Sequence, residues 1–464
     1  MSGTTSVLSP AAAFRLRLQN PYVWTLHERI HLPGEPGYDE VRTGYNLGID
    51  LRPAAVVRPH SVHEVRAVVR AAVACGLRIA PQSTGHAAQP LAQHDLSDAV
   101  LVKLDELTGV TVDPVAQTAR VVGGTVWNDV LAATTPYGLT ALHGSAGDVS
   151  VVGYALGGGM SFYGRRHGVA ANSVRAVEFV DATGELRRVD AYREPELFWA
   201  ARGAGGNLGV VVAVEIDLFA YADVYAGMLL WPAEAVAEVL PAWRDWTRTA
   251  PDEVTTSLRL FHFPPLPELP PFLAGRRVLV IDGAVSGTSD ARAEDILAPL
   301  RALAPEIDTF DRIPAEALVQ VHMDPPEPVP SVADHRVLGE LPDKAIEALV
   351  EEVAGDEVLM FTELRQLGGA IGRPAPGGGS VSYLEGAYAL FALAIAPGPE
   401  AHAAGLAAAR RVCGAMAPWS LDSVVPTFAE ETPAAASVWP EALRLRHAVA
   451  SVDPDRVFIA NHRA

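Results

Sequence analysis

PQSTGHAA, at residues 81–88, decides how the N-terminal half of the chain is interpreted. This loop follows the apolar run LRIA (77–80), and the residues before that run predict a strand and a helix of a β-α-β unit. Ser61 is placed to cap the helix, and Gly76 stands where a helix end favours a left-handed residue. Backbone N–H groups of a loop in this position can form a concavity for phosphate groups. The loop therefore suits a dinucleotide.

A second glycine-rich segment, VGYALGGG at residues 152–159, lets the backbone approach a flat cofactor or a phosphate closely. Each segment alone is a weak signal, because glycine loops are more often plain turns. GAGGNLG (203–209) is the nearest approach to the G-x-G-x-x-G fingerprint of a Rossmann fold. It has leucine at the third glycine position and is followed by a strand, so NAD in that fold is disfavoured.

The remainder of the chain predicts a second α/β unit and then a separate domain. AVEFVDATGELRRVDA (176–191) indicates a hairpin, and GVVVAVEIDLFA (209–220) indicates a strand that closes this unit. From about Tyr221, long helical patterns alternate with strand-like runs. The proline-rich stretches FPPLPELPP (263–271) and DPPEPVP (324–330) predict long loops of the kind that often line binding sites.

Composition excludes several classes of function. With 36 basic and 55 acidic side chains the formal net charge is -19, which disfavours binding to nucleic acid. YALFALAIA (388–396) is too short to span a membrane and is interpreted as a buried strand. The N-terminus lacks the pattern of a secretory signal, so we expect a cytoplasmic location. The 2 cysteines are too few for a disulfide framework or a metal cluster, and no metal is predicted.

Taken together, the motifs resemble the vanillyl-alcohol oxidase and p-cresol methylhydroxylase superfamily of flavoproteins, in particular the berberine-bridge-enzyme-like oxidases. The resemblance begins near residue 52 and is carried by STGH (83–86), by the segments 154–186 and 195–216, and by DPDRVFIANH (453–462). It implies an α+β fold with a two-subdomain, p-cresol-methylhydroxylase-type (PCMH-type) FAD-binding domain. A substrate domain with an antiparallel sheet and flanking helices is expected beside it.

The same resemblance implies the domain boundaries and the FAD contacts. An N-terminal segment (1–50) precedes the FAD-binding domain (51–220), the substrate domain covers 221–425, and a C-terminal segment (426–464) returns to the FAD domain. The implied contacts lie in the two glycine segments and at a few positions outside them: Gln82, Ser83, Thr84, Gly85, His86, Ala87, Val149, Gly153, Tyr154, Gly157, Gly158, Gly159, Val211 and Asn461.

In the family, the histidine that closes the first loop is bonded to the 8α carbon of the flavin, and His86 holds this position. Many relatives add a second bond from a cysteine, where this chain has Ala146. A single histidyl attachment is therefore implied. Val149 stands where related enzymes control access of oxygen, which favours an oxidase over a dehydrogenase, although such a valine is equally ordinary core packing. Tyr154 replaces a common histidine, and its hydroxyl could reach the ribityl chain.

The catalytic base is the main departure from the family pattern. Many relatives carry a tyrosine in a Y-x-N stretch, which here reads Val425-Pro426-Thr427. We favour Glu363 and Tyr388 as replacements, because alternating side chains of their predicted strands can face a cofactor, and we add Tyr154 as a third candidate. Weaker candidates in the same domain are Tyr225, His262, His322, Arg365 and Tyr383.

These observations predict an FAD-dependent oxidase that removes a hydride from a C–H bond next to oxygen or nitrogen in a small molecule, with O2 as acceptor and a role in secondary metabolism. Two alternatives stay open: a flavin-binding protein without redox turnover, and a non-redox cyclase or isomerase on the same fold. The sequence leaves an alcohol, a sugar, an amine and a polyketide-like molecule as substrates, and it leaves a homodimer open.

Overall fold

Strand pairing divides the protein into three sheets. The computed structural model describes residues 8–19, 23–265, 267, 271–325 and 327–464. Parts of both proline-rich stretches (266, 268–270 and 326) and of the N-terminus (1–7 and 20–22) lie outside these residues. Helices and antiparallel sheets are combined with one partly parallel sheet, which confirms the predicted α+β fold. Within the described ranges, no helix has the length and apolar character needed to span a membrane.

The first sheet has the strand order β1-β2-β4-β3, with β4 parallel to both β2 and β3. Its strands are β1 (Ile30–His31), β2 (Ala55–Val57), β3 (Arg78–Gln82) and β4 (Ala99–Lys103). Its helices are α1 (Pro10–Arg17), α2 (Tyr38–Arg42), α3 (Val62–Ala74) and α4 (Gln89–Ala92). β2, α3 and β3 are the β-α-β unit that the sequence predicts.

Helix α3 begins and ends as its sequence indicates. The hydroxyl of Ser61 accepts a hydrogen bond from the backbone N–H of Glu64 at 3.3 Å. The Glu64 carboxylate accepts from the backbone N–H of His60 at 2.8 Å, so the start of the helix is bonded on both sides. Gly76 takes a left-handed conformation with φ 68°, and Val65 and Val68 are fully buried. The helix therefore holds β2 and β3 through an apolar stripe.

The second sheet is antiparallel, in the order β5-β6-β9-β7-β8. Its strands are β5 (Val110–Asp113), β6 (Thr118–Val122), β7 (Val174–Val180), β8 (Leu186–Asp190) and β9 (Val210–Asp217). The helices nearby in sequence are α5 (Trp127–Thr134), α6 (Val151–Leu156), α7 (Gly164–His167) and α8 (Pro195–Ala204). The predicted hairpin is β7 with β8. The last strand, β9, lies in the middle of the sheet, and its first five residues, VVVAV, are buried.

The third sheet has eight antiparallel strands, with β13-β10-β12-β11-β16-β17-β15 in order and β14 paired to β10. They are β10 (Asp223–Pro232), β11 (Val254–His262), β12 (Arg277–Val285), β13 (Ile307–Asp308), β14 (Asp311–Pro314), β15 (Ser331–Leu338), β16 (Phe361–Gln366) and β17 (Tyr388–Ile395). Helices α9 (Val236–Thr247), α10 (Asp290–Arg301), α11 (Asp343–Ala354) and α12 (Pro399–Ala415) share an apolar core with one face of this sheet.

The C-terminal segment returns to the first sheet. It follows the helices α13 (Ala435–Val438) and α14 (Ala442–Val452). Ile79 in β3 donates its N–H to the carbonyl of Val457 at 2.8 Å and accepts from the N–H of Ile459 at 2.8 Å. The domain boundaries at residues 50, 220 and 425 stay a prediction.

A substitution at Gly124, between β6 and α5, tests how closely the two N-terminal sheets are joined. A Cβ atom there would lie 1.8 Å from the carbonyl oxygen of Leu104, so we expect Gly124→Ala to lower the melting temperature by several degrees. Gly414→Ala in α12 is the matched control, because nothing lies within 4 Å of its Cβ position. It should stabilise the protein by about 0.5–1 kcal/mol. Equal melting temperatures for the two variants would contradict the close approach.

Candidate active site

A cavity of about 430 Å³ lies between the glycine segments of the first two sheets and one face of the third sheet. Residues from the first loop, from α6, from β16 and β17, and from the C-terminal segment line it together. The proline-rich stretch 324–330 also contributes Asp324, Pro325 and Val329 to the lining, as expected for a loop at a binding site. Segments far apart in sequence therefore converge on one site.

The first loop presents unpaired polar atoms to this cavity. Gln82, Ser83, Thr84, Gly85, His86 and Ala87 all line it, as predicted. Both amide atoms of Gln82 are buried and have no hydrogen-bond partner among the described residues. Gly85 adopts φ 81°, and its Cβ position would lie 3.0 Å from the Cα atom of Gly44. Glycine is thus required at this turn, and the loop leaves hydrogen-bonding capacity for a ligand.

His86 is held on three sides. Its ring stacks on Tyr45 at a centroid distance of 3.7 Å, and the Tyr45 hydroxyl donates to the carbonyl of Pro325 at 2.5 Å. Nδ1 of His86 lies 2.8 Å from the Thr84 hydroxyl. Nε2 is buried, lies 3.5 Å from a carboxylate oxygen of Asp148 and has no hydrogen bond within the part of the chain that the structure describes. The imidazole is oriented, and one of its nitrogens is available.

The second glycine segment divides into two parts. Gly153, Tyr154 and Gly157 line the cavity, whereas Gly158 and Gly159 lie outside its lining, and their contact with the cofactor stays a prediction. A Cβ atom at Gly159 would lie 2.6 Å from the ring of Tyr154. Gly159 therefore makes room for the ring of Tyr154. Gly158, the residue before it, also has a positive φ, of 106°.

Tyr154 brings a hydroxyl to the cavity that has no hydrogen bond among the described residues. Burial raises the pKa of this hydroxyl well above its ordinary value, so it stays protonated at neutral pH. The ring packs edge-on against Trp127 at 5.6 Å. Tyr154 can therefore donate or share a hydrogen bond, whereas it is a poor proton acceptor.

The other predicted cofactor contacts, Val149, Val211 and Asn461, also line the cavity. Val211 comes from β9, and Asn461 comes from the C-terminal segment. The side-chain amide of Asn461 donates to the carbonyl of Ala87. The return of the C-terminus to β3 is what brings this residue to the first loop.

GAGGNLG lines the cavity as well, although only Val211, just after this segment, is among the predicted cofactor contacts nearby. Gly203, Gly205, Gly206 and Gly209 all contribute to the lining. Gly203 adopts φ 124°, and its Cβ position would lie 2.4 Å from the backbone nitrogen of Val381. The carbonyl of Gly203 accepts from Nε1 of Trp439 at 2.7 Å. Four glycines within seven residues were the signal that could have identified this segment.

Charged and polar side chains on the cavity side of the third sheet, together with His322, form one hydrogen-bonded group that we call the polar band. Nδ1 of His322 lies 2.9 Å from the Asp282 carboxylate, and Arg259 and Ser257 also bond that carboxylate. Glu363 pairs across the strands with Arg259. The members of the band are Ser257, Arg259, Asp282, His322, Glu363 and Arg365.

Of the predicted catalytic residues, Glu363 lies at the cavity but is already paired. Nε of Arg365 donates to Oε1 of Glu363 at 2.9 Å, and Nη2 donates to Oε2 at 3.2 Å. Burial alone would raise the pKa of Glu363, but the charges of Arg365, His322 and Arg259 outweigh it and hold that pKa below its ordinary value. Glu363 is a carboxylate that orients Arg365, and as it stands it is a weak base.

Tyr388 lies outside the cavity lining, which corrects its assignment as a catalytic base. Its hydroxyl shares a hydrogen bond with the Thr247 hydroxyl at 2.6 Å, and its ring packs on Trp243 in α9. It is therefore on the helix-covered face of the sheet, opposite to Glu363. Among the weaker candidates, His322 and Arg365 line the cavity, whereas Tyr225, His262 and Tyr383 do not.

Pro426, Thr427 and Phe428 line the cavity where relatives are expected to carry the Y-x-N tyrosine. Glu430 follows on the same segment and also lines it. Burial, with a smaller effect of the Asp334 carboxylate, raises the pKa of Glu430 to about 8. This carboxyl group therefore holds its proton to a higher pH than an ordinary glutamate, which the sequence did not indicate.

Comparison with known proteins identifies the N-terminal part of this site. Residues 53–190 match the family described as the FAD binding domain. These residues are an FAD binding domain. The match covers β2 to β8 and contains both the PQSTGHAA loop and the VGYALGGG segment.

Several relatives of the chain are oxidases by name. The (R)-6-hydroxynicotine oxidase of Paenarthrobacter nicotinovorans is 32% identical over 216 residues, which are 46% of this chain and 46% of that protein. A xylooligosaccharide oxidase of Thermothelomyces thermophilus is 32% identical over 177 residues, which are 38% of this chain and 36% of that protein. The match thus spans less than half the length of these relatives.

Solved structures extend the likeness to the whole fold. Physcomitrella patens BBE-like 1 superposes with a TM-score of 0.81 at 20% identity over 93% of this chain and 96% of its own. A chitooligosaccharide oxidase gives a TM-score of 0.80 at 19% identity, with 98% of each chain covered. The chain thus shares its fold with berberine-bridge-enzyme-like structures, and the family match of residues 53–190 supports FAD as the cofactor.

The residues of the site fit this cofactor. FAD carries two phosphates, a polyhydroxylated chain and a flat ring with several hydrogen-bonding atoms. The unpaired atoms of Gln82, His86 and Tyr154 lie in the FAD binding domain beside backbone that glycine leaves open. Buried polar atoms of this kind are unfavourable unless a ligand bonds them.

A pH titration of stability tests the environment of Glu430. The pKa of Glu430 is raised from an ordinary 4.5 to about 8, so its contribution to stability is present below pH 4.5 and is lost as the pH rises through 8. We expect the melting temperature of the parent to fall relative to that of Glu430→Gln between pH 5 and 8. The exposed Glu340→Gln is the control and should follow the parent. Parallel curves for all three proteins would show that Glu430 is not buried as described.

Proposed function

We propose that the protein is an FAD-dependent oxidase that removes a hydride from a C–H bond next to oxygen or nitrogen in a small molecule. One observation carries this proposal: the FAD binding domain and three members of the polar band, His322, Glu363 and Arg365, line the same cavity. When bound, FAD supplies the two-electron acceptor for such a reaction. The protein supplies position, polarity and exclusion of water. The names of the relatives, which are oxidases, support the reaction class.

The proposal includes a single covalent attachment of FAD at His86. Forming it replaces the N–H bond of the imidazole and one C–H bond of the flavin 8α methyl group by an N–C bond. The two electrons and two protons released pass to O2, which becomes H2O2. The geometry supports His86 in this role, because Tyr45 and Thr84 fix the ring and the Asp148 carboxylate lies where it can attract a proton from Nε2. Ala146 lines the cavity without a thiol, so a second bond is not expected.

O2 is the proposed electron acceptor, with Val149 at the cavity as its support. The cytoplasmic location and a homodimer stay predictions from the sequence. The substrate's O–H or N–H proton needs an acceptor in the cavity. Tyr154 holds its own proton, and Glu363 is engaged with Arg365, so both act best through hydrogen bonds that position other groups. Nε2 of His322 lies 3.4 Å from Oε1 of Glu363, so a proton that reaches Glu363 can pass on to His322 within the polar band.

Acid denaturation tests the attachment. The purified protein should be yellow, and its flavin should stay with the precipitated polypeptide. In His86→Ala the flavin should appear in the acid supernatant, because the imidazole that forms the bond is absent. Peptide mapping of the parent should place the flavin mass on the His86 peptide alone.

A matched variant keeps this test specific. Asn461→Ala changes a cavity residue but leaves His86 in place, so it should retain the covalent flavin. Flavin on a peptide that contains Cys75 or Cys413, or complete release from the parent, would refute the proposed attachment.

Anaerobic reduction tests the redox activity. With a panel of alcohols, sugars, amines and aromatic compounds, at least one compound should bleach the flavin absorption, and O2 should restore it. Glu363→Gln and Tyr154→Phe should slow reduction about tenfold or more, since positioned polar groups at a reacting centre contribute at least that much. The flavin of Tyr388→Phe should be reduced at the parent rate, because the Tyr388 hydroxyl bonds Thr247 on the helix-covered face of the sheet.

The same experiment separates the alternatives. A protein that binds FAD but is not reduced by any compound of the panel would favour a non-redox cyclase or a structural flavin. A slow Tyr388→Phe variant with normal flavin content would show that the helix-covered face of the sheet takes part in the reaction.

A further inference from the structure

The face of the third sheet at the cavity combines aromatic rings with one cation. Phe391 stacks on Phe428 at 4.5 Å, and Phe361 lies 6.1 Å from Phe391. The guanidinium of Arg365 lies over the ring of Phe428 at 5.3 Å. All four side chains line the cavity. Since the FAD contacts come from the opposite wall, this face is the part of the cavity that is left for a substrate.

Arg365 is held in one orientation. Its Nε and Nη2 donate to Glu363, and Nη2 also lies 2.9 Å from Nε2 of His322. His322 is in turn fixed by Asp282 at 2.9 Å. Nη1 of Arg365 has no hydrogen-bond partner among the described residues. An arginine that is bonded on one edge and stacked on a ring presents its free N–H groups in a fixed plane.

The charge of Arg365 is already matched. Glu363 balances Arg365, and Asp282 balances Arg259 in the neighbouring pair. Asp324 lines the cavity as a further carboxylate, and its side chain accepts a hydrogen bond from Ser145 at 2.7 Å. A carboxylate ligand beside Arg365 would therefore meet no net positive field and an additional negative charge. A neutral oxygen acceptor can take a hydrogen bond from the oriented guanidinium of Arg365 and is not repelled by the Asp324 carboxylate.

We propose that Arg365 binds a neutral oxygen acceptor of a planar aromatic substrate, with Nη1 as the donor, and that Glu363 is the residue that positions Arg365. This inference rests on the proposed function and names the substrate class of the same cavity. The aromatic rings of Phe361, Phe391 and Phe428 supply the apolar surface for the flat part of the molecule. A sugar carries hydroxyl groups around its ring, each of which needs a hydrogen-bond partner that three phenylalanine side chains do not offer.

Equilibrium binding to the flavin-loaded protein tests the inference with compounds that do not react. 2-Acetylnaphthalene and 2-naphthoate have nearly the same shape, but the ketone is neutral and the acid is anionic at pH 7. Binding is measured by the perturbation of the flavin absorption and by calorimetry, with cellobiose as the sugar probe. We expect 2-acetylnaphthalene to bind about tenfold more tightly than 2-naphthoate, which corresponds to about 1.4 kcal/mol. We expect no binding of cellobiose at the same concentrations.

Two variants locate the effect. Arg365→Met should weaken the binding of 2-acetylnaphthalene about tenfold, which is the effect of one lost hydrogen bond. Arg373→Met is the matched control, because Arg373 is exposed and pairs with Asp252 away from the cavity. Glu363→Gln leaves the charge of Arg365 unmatched, so 2-naphthoate should then bind at least as tightly as the ketone. This reversal of preference is not expected from a merely structural role, and it decides the question if Arg365→Met does not fold.

The outcomes separate this inference from the proposed function. If the flavin is retained and is reduced by a sugar or an amine, while both naphthalene probes fail to bind, the substrate class is wrong and the oxidase proposal stands. Unchanged preference in Glu363→Gln, or tighter binding of 2-naphthoate to the parent, would overturn the role of the Arg365–Glu363 pair. A protein without flavin would overturn the proposed function itself.

Discussion

Strand β3 lies at the edge of the first sheet, and its outward backbone groups must find partners. Burying such groups unpaired is unfavourable, and an open edge invites association. The C-terminal segment supplies these partners, because Val457 and Ile459 form two backbone hydrogen bonds with Ile79. Because Ile79 lies just before the first loop, this pairing also brings Asn461 to Ala87. The position of His86 thus depends on residues nearly four hundred positions away in sequence.

The two walls of the cavity follow different physical rules. The FAD binding domain presents backbone and unpaired polar atoms, which are unfavourable in the free protein and become satisfied when the cofactor binds. The third sheet presents charges that are almost fully buried: Asp282 and Glu363 are 0% and 1% exposed. Such charges are tolerated only when each has a close partner, because the loss of hydration must be offset by attraction and hydrogen bonds. The first wall is therefore adapted to gain a ligand, and the second is stable without one.

Much of the fold could be predicted from local pattern, whereas part of the site could not. The cap at Ser61 and the left-handed Gly76 follow from short-range chemistry, and both are confirmed. Tyr388 was misassigned because β17 is apolar along its whole length, so its sequence does not show which side chains face the cavity. Gly158 and Gly159 are ambiguous in the sequence, because glycine is required both where a neighbouring ring needs space and where a ligand does. Glu430 and the polar band depend on the packing of distant strands, which a single sequence does not reveal.

The absence of the Y-x-N tyrosine has a structural counterpart. Phe428 lies next to Thr427, stacks on Phe391 and supports the guanidinium of Arg365. The tyrosine hydroxyl that could take a proton in relatives is thus missing here. In its place the ring of Phe428 helps to orient the guanidinium of Arg365, which can donate a hydrogen bond to a ligand. The polar band can compensate because its carboxylates and His322 form one connected hydrogen-bonded set, in which the arrival of a proton can be shared. If the proposed oxidation takes place here, its proton acceptor is a network rather than one side chain, so no single position in the sequence identifies it.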